Sequence, residues 1–246
     1  MANVYKNPPL VEALCEFRFN LSTPWDVTIF GEYYQRIQAE FSEKRQLREV
    51  EMSWQRHEGG MTGDIKGRRI RMQFIRPDRS AMVQVAPYRL IVNKLSPYES
   101  WEVFKALIQS RLADYRNVVD TAVCQRVGLR YINRFDFARK GFTVGAYFGA
   151  SDVFPRRLRQ AGEPFLMRLE IPQSEETRLL ITIGTTETES LDRVSVLLDL
   201  DYVHINIENL DEAALLAALD QAHDQIEDVF EACLTNELRS RFNQEV

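Results

Sequence analysis

QRVGLRYINRFDF, residues Gln125 to Phe137, alternates in polarity along nearly its whole length. Val127, Leu129, Tyr131, Phe135 and Phe137 take turns with Arg126, Arg130, Arg134 and Asp136. A period of two sends successive side chains to opposite faces of a strand, so this stretch reads as a strand with one buried face. The opposite face carries the three arginines, with Gly128 and Ile132 between them. Such a face either lines an anion-binding surface or pairs with acids on a neighbouring strand, and ion-pair ladders are a common use of it.

Working upstream, the chain spells strand, helix, four strands and helix. Leu10 to Phe19 is the first strand, with Leu14, Phe17 and Phe19 as core residues. Thr23-Pro24 opens a helix carrying Phe30, Tyr33, Tyr34, Ile37 and Phe41 and ending near Glu43 to Arg45, since proline is tolerated in a first turn. Val50, Met52 and Trp54 mark a second strand, and Gly59-Gly60 with Gly63 a loop or hairpin. Ile70, Met72 and Phe74 alternate with Arg69, Arg71 and Gln73 in a third strand. After the Pro77-Asp78 turn come strands Ala81 to Ala86 and Arg89 to Leu95. Ser96 and Glu99 have capping-box spacing ahead of a helix with Trp101, Phe104, Leu107, Ile108, Leu112 and Tyr115 on one face.

Downstream the order returns in rougher form. Gly141, Gly145 and Gly149 mark turns before a short helix around Ser151 to Gln160. Phe165 to Ile171, Arg178 to Ile183 and Leu191 to Val203 read as strands, and a long helix starts near Asp211, after which either Thr235 caps a last turn through Phe242 or the helix runs on. The fold expected is α+β: one domain over 1–246, with halves 1–120 and 121–246 that repeat an element order. A curved antiparallel sheet would carry the long helices on one face. That architecture resembles the TATA-binding-protein-like fold, a likeness that brings no function with it. Trp54, Phe74, Tyr131, Phe135, Trp101, Phe104, Ile226 and Phe230 are the expected shared core. Asn7-Pro8-Pro9 is expected to be ordered, with Tyr5 fixed against the body of the protein.

Of the 246 residues, 45% are hydrophobic and 27% charged, which suits a folded chain with a core. A net charge of −5 argues against a wholly electrostatic DNA binder and leaves room for a local basic patch. Cys15, Cys124 and Cys233 form no Cys-x-x-Cys and no Cys/His pairing, so they are expected as buried free thiols. No apolar run approaches the roughly 18 residues of a membrane span, and a cytoplasmic location away from membranes is expected.

Strong catalytic signatures are missing. His57, His204 and His223 come from distant elements, and a hydrogen-bonded structural histidine is the reading for His223. Asp199 and Asp201, two apart on a strand, share a face and are the one acidic pair that could hold a divalent cation for phosphoryl transfer. The bland alternative pairs them with strand arginines. Arg156, Arg157 and Arg159 read as a solvated basic face. There is no nucleophile elbow, phosphate-binding glycine loop or dinucleotide fingerprint.

Four stretches carry a resemblance. They are Tyr5-Lys6-Asn7-Pro8-Pro9-Leu10-Val11-Glu12-Ala13, Gly128-Leu129-Arg130-Tyr131-Ile132-Asn133-Arg134, Leu197-Leu198-Asp199-Leu200-Asp201, and His223 through Phe230 to Leu234-Thr235 and Arg239. They resemble an uncharacterised prokaryotic family of sporadic distribution. Scattered distribution implies mobile genes, hence an accessory role in phage defence or a toxin–antitoxin-like pair. The reading of the whole is a binding or adaptor protein without catalytic activity or cofactor, acting with a protein partner or as a homodimer. The alternatives are a nucleic-acid or nucleotide binder using Arg69, Arg71, Arg126, Arg130 and Arg134, and a metal-dependent enzyme at Asp199 and Asp201.

Overall fold

The computed structural model describes residue 5 and residues 7–57, 60–119, 121–149, 164–188, 190–207 and 211–242; of 49–57, 60–69, 121 and 122 it describes the backbone alone. It is an α+β chain with a large open antiparallel sheet of nine strands in the order β2-β3-β4-β5-β1-β6-β9-β8-β7. The elements run β1 (Leu10–Leu21), α1 (Ile29–Ile37), β2 (Glu43–His57), β3 (Gly60–Ile75), β4 (Ala81–Ala86), β5 (Arg89–Leu95) and α2 (Trp101–Arg116). They continue with β6 (Thr121–Ala138), α3 (Val144–Tyr147), β7 (Leu166–Pro172), β8 (Thr177–Thr186), β9 (Arg193–Ile205), α4 (Glu212–Cys233) and α5 (Asn236–Arg241). The chain divides into two compact units, one of Cys15–Val127 and one of Met1–Leu14 with Gly128–Val246.

In the unit Cys15–Val127, β2 to β5 are joined by consecutive antiparallel pairings. On β1 the buried residues are Ala13, Cys15, Phe17 and Phe19, so Leu14 alternates onto the other face and is only half-buried. Its expected core place is corrected by the period of two itself. Tyr33 and Tyr34 of α1 pack on Phe74, and Tyr115 of α2 stacks on Phe19. α1 begins later than Thr23-Pro24, because the Asp26 carboxylate takes both the N–H and the hydroxyl of Thr28 in a local turn. It ends at Ile37, and Glu43 already pairs with Ile75, so ladder hydrogen bonds replace the expected last helical turn. The glycines mark the β2–β3 hairpin: Gly60 and Gly63 lie at the start of β3, paired with His57 and Trp54, and Gly59 is outside the described residues. α2 is capped by Ser100, whose hydroxyl accepts from the Val103 N–H, and not by the Ser96/Glu99 box. Glu99 instead holds the buried Lys94 ammonium at 2.7 Å.

A polar ladder crosses the face opposite α1 and α2. The Gln73 amide donates to Gln84 at 3.0 Å, and Gln84 donates to Asn93 at 2.9 Å. All three are buried, and the chain of bonds satisfies them.

In the other unit, β7–β8 and β8–β9 are antiparallel. α4 starts on Asp211, whose carboxylate accepts from the Ala214 N–H, and α5 on Thr235, whose hydroxyl accepts from Leu238 N–H. Val144–Tyr147 forms a short helix where turns are expected. Phe148 and Phe242 both pack against Phe135. The N-terminal segment is tied down at three points. The Tyr5 hydroxyl donates to Glu231 at 2.7 Å, Asn7 N–H donates to Phe242 O at 3.1 Å, and Arg134 N–H donates to Pro9 O at 2.9 Å. Of the expected core, Phe74 and Phe104 are buried in one unit and Tyr131, Phe135 and Ile226 in the other. Trp101 and Phe230 are half-buried, and the Trp54 side chain lies outside the described residues, as does the expected helix at Ser151 to Gln160.

Candidate functional site

β6 keeps the alternation its sequence implies. Val127, Leu129, Tyr131, Phe135 and Phe137 are buried, and Arg126, Arg130 and Arg134 leave by the other face and reach solvent in part. What each arginine meets there differs.

Arg130 meets Asp199. Its Nε donates to Oδ1 at 2.7 Å and its Nη2 to Oδ2, the planar fork matching both carboxylate oxygens. β6 and β9 are neighbours in the sheet, which puts the two residues side by side. The hydrogen bonds from Asp199 raise the Arg130 pKa further, burial opposes them, and the charges of Asp199, Asp201 and Glu12 add to the rise. Arg130 is therefore a fixed cation, though its side chain is still 40% exposed. Both Asp199 oxygens are engaged, and Asp201, two residues on, stands opposite Leu180. Among the described residues no group of three His, Cys, Asp or Glu side chains is placed to hold a metal ion.

Arg134 meets Asp136 on its own strand at 3.3 Å and donates to the Ser195 hydroxyl at 3.0 Å, while Ser195 donates in turn to Asp136. Burial alone would raise the Asp136 carboxyl. The hydrogen bonds from Ser195 and Arg134, with the charges of Arg134 and Arg193, outweigh it and leave it lowered.

Arg126 lies in the unit Cys15–Val127 and meets Glu16. Glu16 is also held by Arg18 Nε at 2.7 Å and approached by Arg89 Nη1 at 3.7 Å. One carboxylate, 15% exposed, thus gathers three guanidinium groups. The geometry follows from strand order, because β5, β1 and β6 are consecutive in the sheet. Sequence reasoning did not single out Glu16, Arg18 or Arg89. Glu16 and Arg18 alternate with Cys15, Phe17 and Phe19, a signal that was present; Arg89 needed the sheet order.

Arg71 is half-buried on β3, with Leu47 as its ladder partner. Arg69 is registered opposite Glu49, and its side chain is outside the described residues, as are Arg156, Arg157 and Arg159. The histidines do not converge. His223 Nδ1 shares a hydrogen bond of 2.9 Å with the Tyr131 hydroxyl, and its Nε2 is 3.4 Å from Glu227, so it is a buried, hydrogen-bonded residue of the α4–β6 packing. His204 stands 3.8 Å from Glu176.

The four stretches quoted for the family resemblance meet within one unit. Arg130 grips Asp199, Asn133 donates to Leu198 O at 3.3 Å, Tyr131 bonds His223, and Tyr5 bonds Glu231, which also accepts from Arg239 Nε at 2.8 Å. No family model matches the sequence, and no curated protein matches it.

Proposed function

We propose that this chain is a binding protein without catalytic activity, and that the polar sheet face around Glu16 takes an anionic partner of nucleic-acid or nucleotide chemistry. The convergence of Arg18, Arg89 and Arg126 on one carboxylate carries this reading. Each guanidinium presents its N–H donors in a planar fork. A phosphate has the oxygens and the charge to accept from such a set, and arginine is the residue suited to grip it in two places. The Arg130–Asp199 pair, by contrast, is closed on itself and belongs to the ladder reading. The metal-dependent alternative at Asp199 and Asp201 has less support for the same reason.

The finer architecture is part of this reading. Outward from β1 the strands run β5, β4, β3, β2, and outward from β6 they run β9, β8, β7. In each case the last strand made returns beside the first, which supports two pseudo-repeated halves and a TATA-binding-protein-like curved sheet, the second half one strand shorter. The setting the family resemblance implies is an adaptor in a mobile defence or toxin–antitoxin-like system.

The test is fluorescence anisotropy with labelled single-stranded and duplex oligonucleotides at low salt, with inorganic pyrophosphate as competitor. Arg126→Ala and Arg18→Ala are expected to weaken binding by about 1.5–3 kcal/mol each, the range for a hydrogen bond to a charged group. Each variant leaves Glu16 two arginines, so the circular dichroism spectrum should not change. Glu16→Gln separates site from scaffold: removing the resident carboxylate should tighten binding if the arginines serve a ligand. Absence of binding at low salt, or arginine variants that bind as the parent does, would sink the proposal.

A further inference from the structure

Among the described residues β7, Leu166–Pro172, stands last in the strand order, paired with β8 on one side. It is an unusually apolar edge: Leu166 is 75%, Leu169 36% and Ile171 39% exposed. Edge strands offer unpaired N–H and C=O groups to another strand. Which residues offer them is fixed by the ladder. Thr185 N–H donates to Phe165 O at 3.0 Å, and Gln173 N–H to Thr177 O at 2.9 Å. Hydrogen-bonded pairs alternate along an antiparallel ladder. Met167, Leu169 and Ile171 therefore bond inward to β8, and Leu166, Arg168 and Glu170 aim their backbone groups outward.

The geometry points to β7 as the seam of a twofold homodimer, one copy's β7 pairing antiparallel with the same strand of a second copy. The strand's charges select the register. With outward residues opposed to outward residues, a twofold axis through Arg168 or Glu170 sets like charges face to face. An axis through Leu169 sets Arg168 opposite the partner's Glu170, and Glu170 opposite the partner's Arg168. Only this register gives two attractive charged pairs, and each pair exchanges backbone hydrogen bonds in the phase the ladder demands. Met167, Leu169 and Ile171 then extend the apolar face on which Ile183, Ile181 and Leu179, their β8 partners, are already buried. Pro172 lacks an N–H and Pro164 precedes the strand, so pairing is confined to this short segment. Pairing uses up the edge, which closes the assembly at two. Glu170, now 2.8 Å from Arg178, would be shared with the second copy.

The experiment is sedimentation velocity of the full chain across a concentration series. The parent is expected to dimerise. Arg168→Glu and Glu170→Arg each place like charges opposite one another twice and should weaken association about tenfold or more. The double variant Arg168→Glu/Glu170→Arg restores opposite charges and should recover the dimer. Leu169→Cys sits in a non-hydrogen-bonded pair, where Cα atoms about 4.5 Å apart suit a disulfide. Mild oxidation should link it between chains, and the parent, with its three native cysteines, should not link. A parent that stays monomeric at high micromolar concentration overturns the proposal. So does a dimer untouched by the single charge changes, or one that the double variant fails to recover.

Discussion

Tyr33 and Tyr115 are both buried, their ring centroids 6.0 Å apart, and their hydroxyls differ in what they meet. Tyr33 donates to Arg111 O at 3.2 Å. The Tyr115 hydroxyl has no hydrogen-bond partner among the described residues. A buried polar group without a partner keeps its desolvation cost, and a partnered one repays it. Burial pushes both phenols up, so neither ionises in the working pH range. Tyr115→Phe should therefore be neutral or stabilising by up to about 1 kcal/mol, and Tyr33→Phe should cost about 1 kcal/mol. Urea denaturation midpoints of the two variants check this; equal losses would mean that Tyr115 has a partner after all. At the same scale, Arg126, Arg130 and Arg134 were legible as the polar face of a strand from alternation alone. Their partners were not, because Glu16 is 110 residues from Arg126 and Asp199 is 69 from Arg130. Pairing of that kind is set by sheet order, which no local pattern encodes.

α4 shows what an element adds. Its acids Asp224, Glu227, Asp228 and Glu231 crowd the C-terminal half, and no basic residue stands in the last turn. Carboxylates near a helix C-terminus oppose the helix dipole. Burial first, then the charges of Asp224, Asp228 and Glu231, raise the Glu227 carboxyl. A carboxyl with a raised folded-state pKa favours the fold when protonated. Its effect turns unfavourable as pH climbs through the unfolded value of 4.5 and the higher folded one. Glu227→Gln should thus stabilise the protein at neutral pH, by less than about 1 kcal/mol given its partial exposure, and the gain should vanish below about pH 4. The substituted amide, equal in length to the carboxylate, would still reach His223, so that contact is not the variable. Thermal melts at two pH values measure it, and a loss of stability at neutral pH would show that the acidic crowding does not cost the fold stability. The start of α4 at Asp211 and of α5 after Thr235 could be read from cap chemistry. The start of α1 could not, because Asp26 draws Thr28 into a turn that competes with the helix. Nor could the start of α2, where Lys94 claims Glu99 and leaves capping to Ser100.

For the molecule as a whole, 36 acidic residues oppose 31 basic ones, and the pI is near 5.4. The long-range field of such a chain repels a polyanion, so the proposed binding relies on the arginines around Glu16 for its attraction. Salt separates the two contributions. Contacts between arginine and phosphate release condensed counterions, and log K falls with log salt at about 0.9 per phosphate on duplex DNA and about 0.7 on single strands. Three arginines at one site predict a slope near −3 for duplex and near −2 for single strands. A chain held by diffuse contacts over its surface would show a steeper one. Arg126→Ala should lower the duplex slope by about one. Arg76, whose guanidinium pairs with Glu40 at 2.8 Å, lies outside the cluster, and Arg76→Ala should leave the slope as it is. Equal losses in the two variants would assign binding to general charge. An unchanged slope in Arg126→Ala would mean that this guanidinium serves Glu16 and the sheet rather than a ligand.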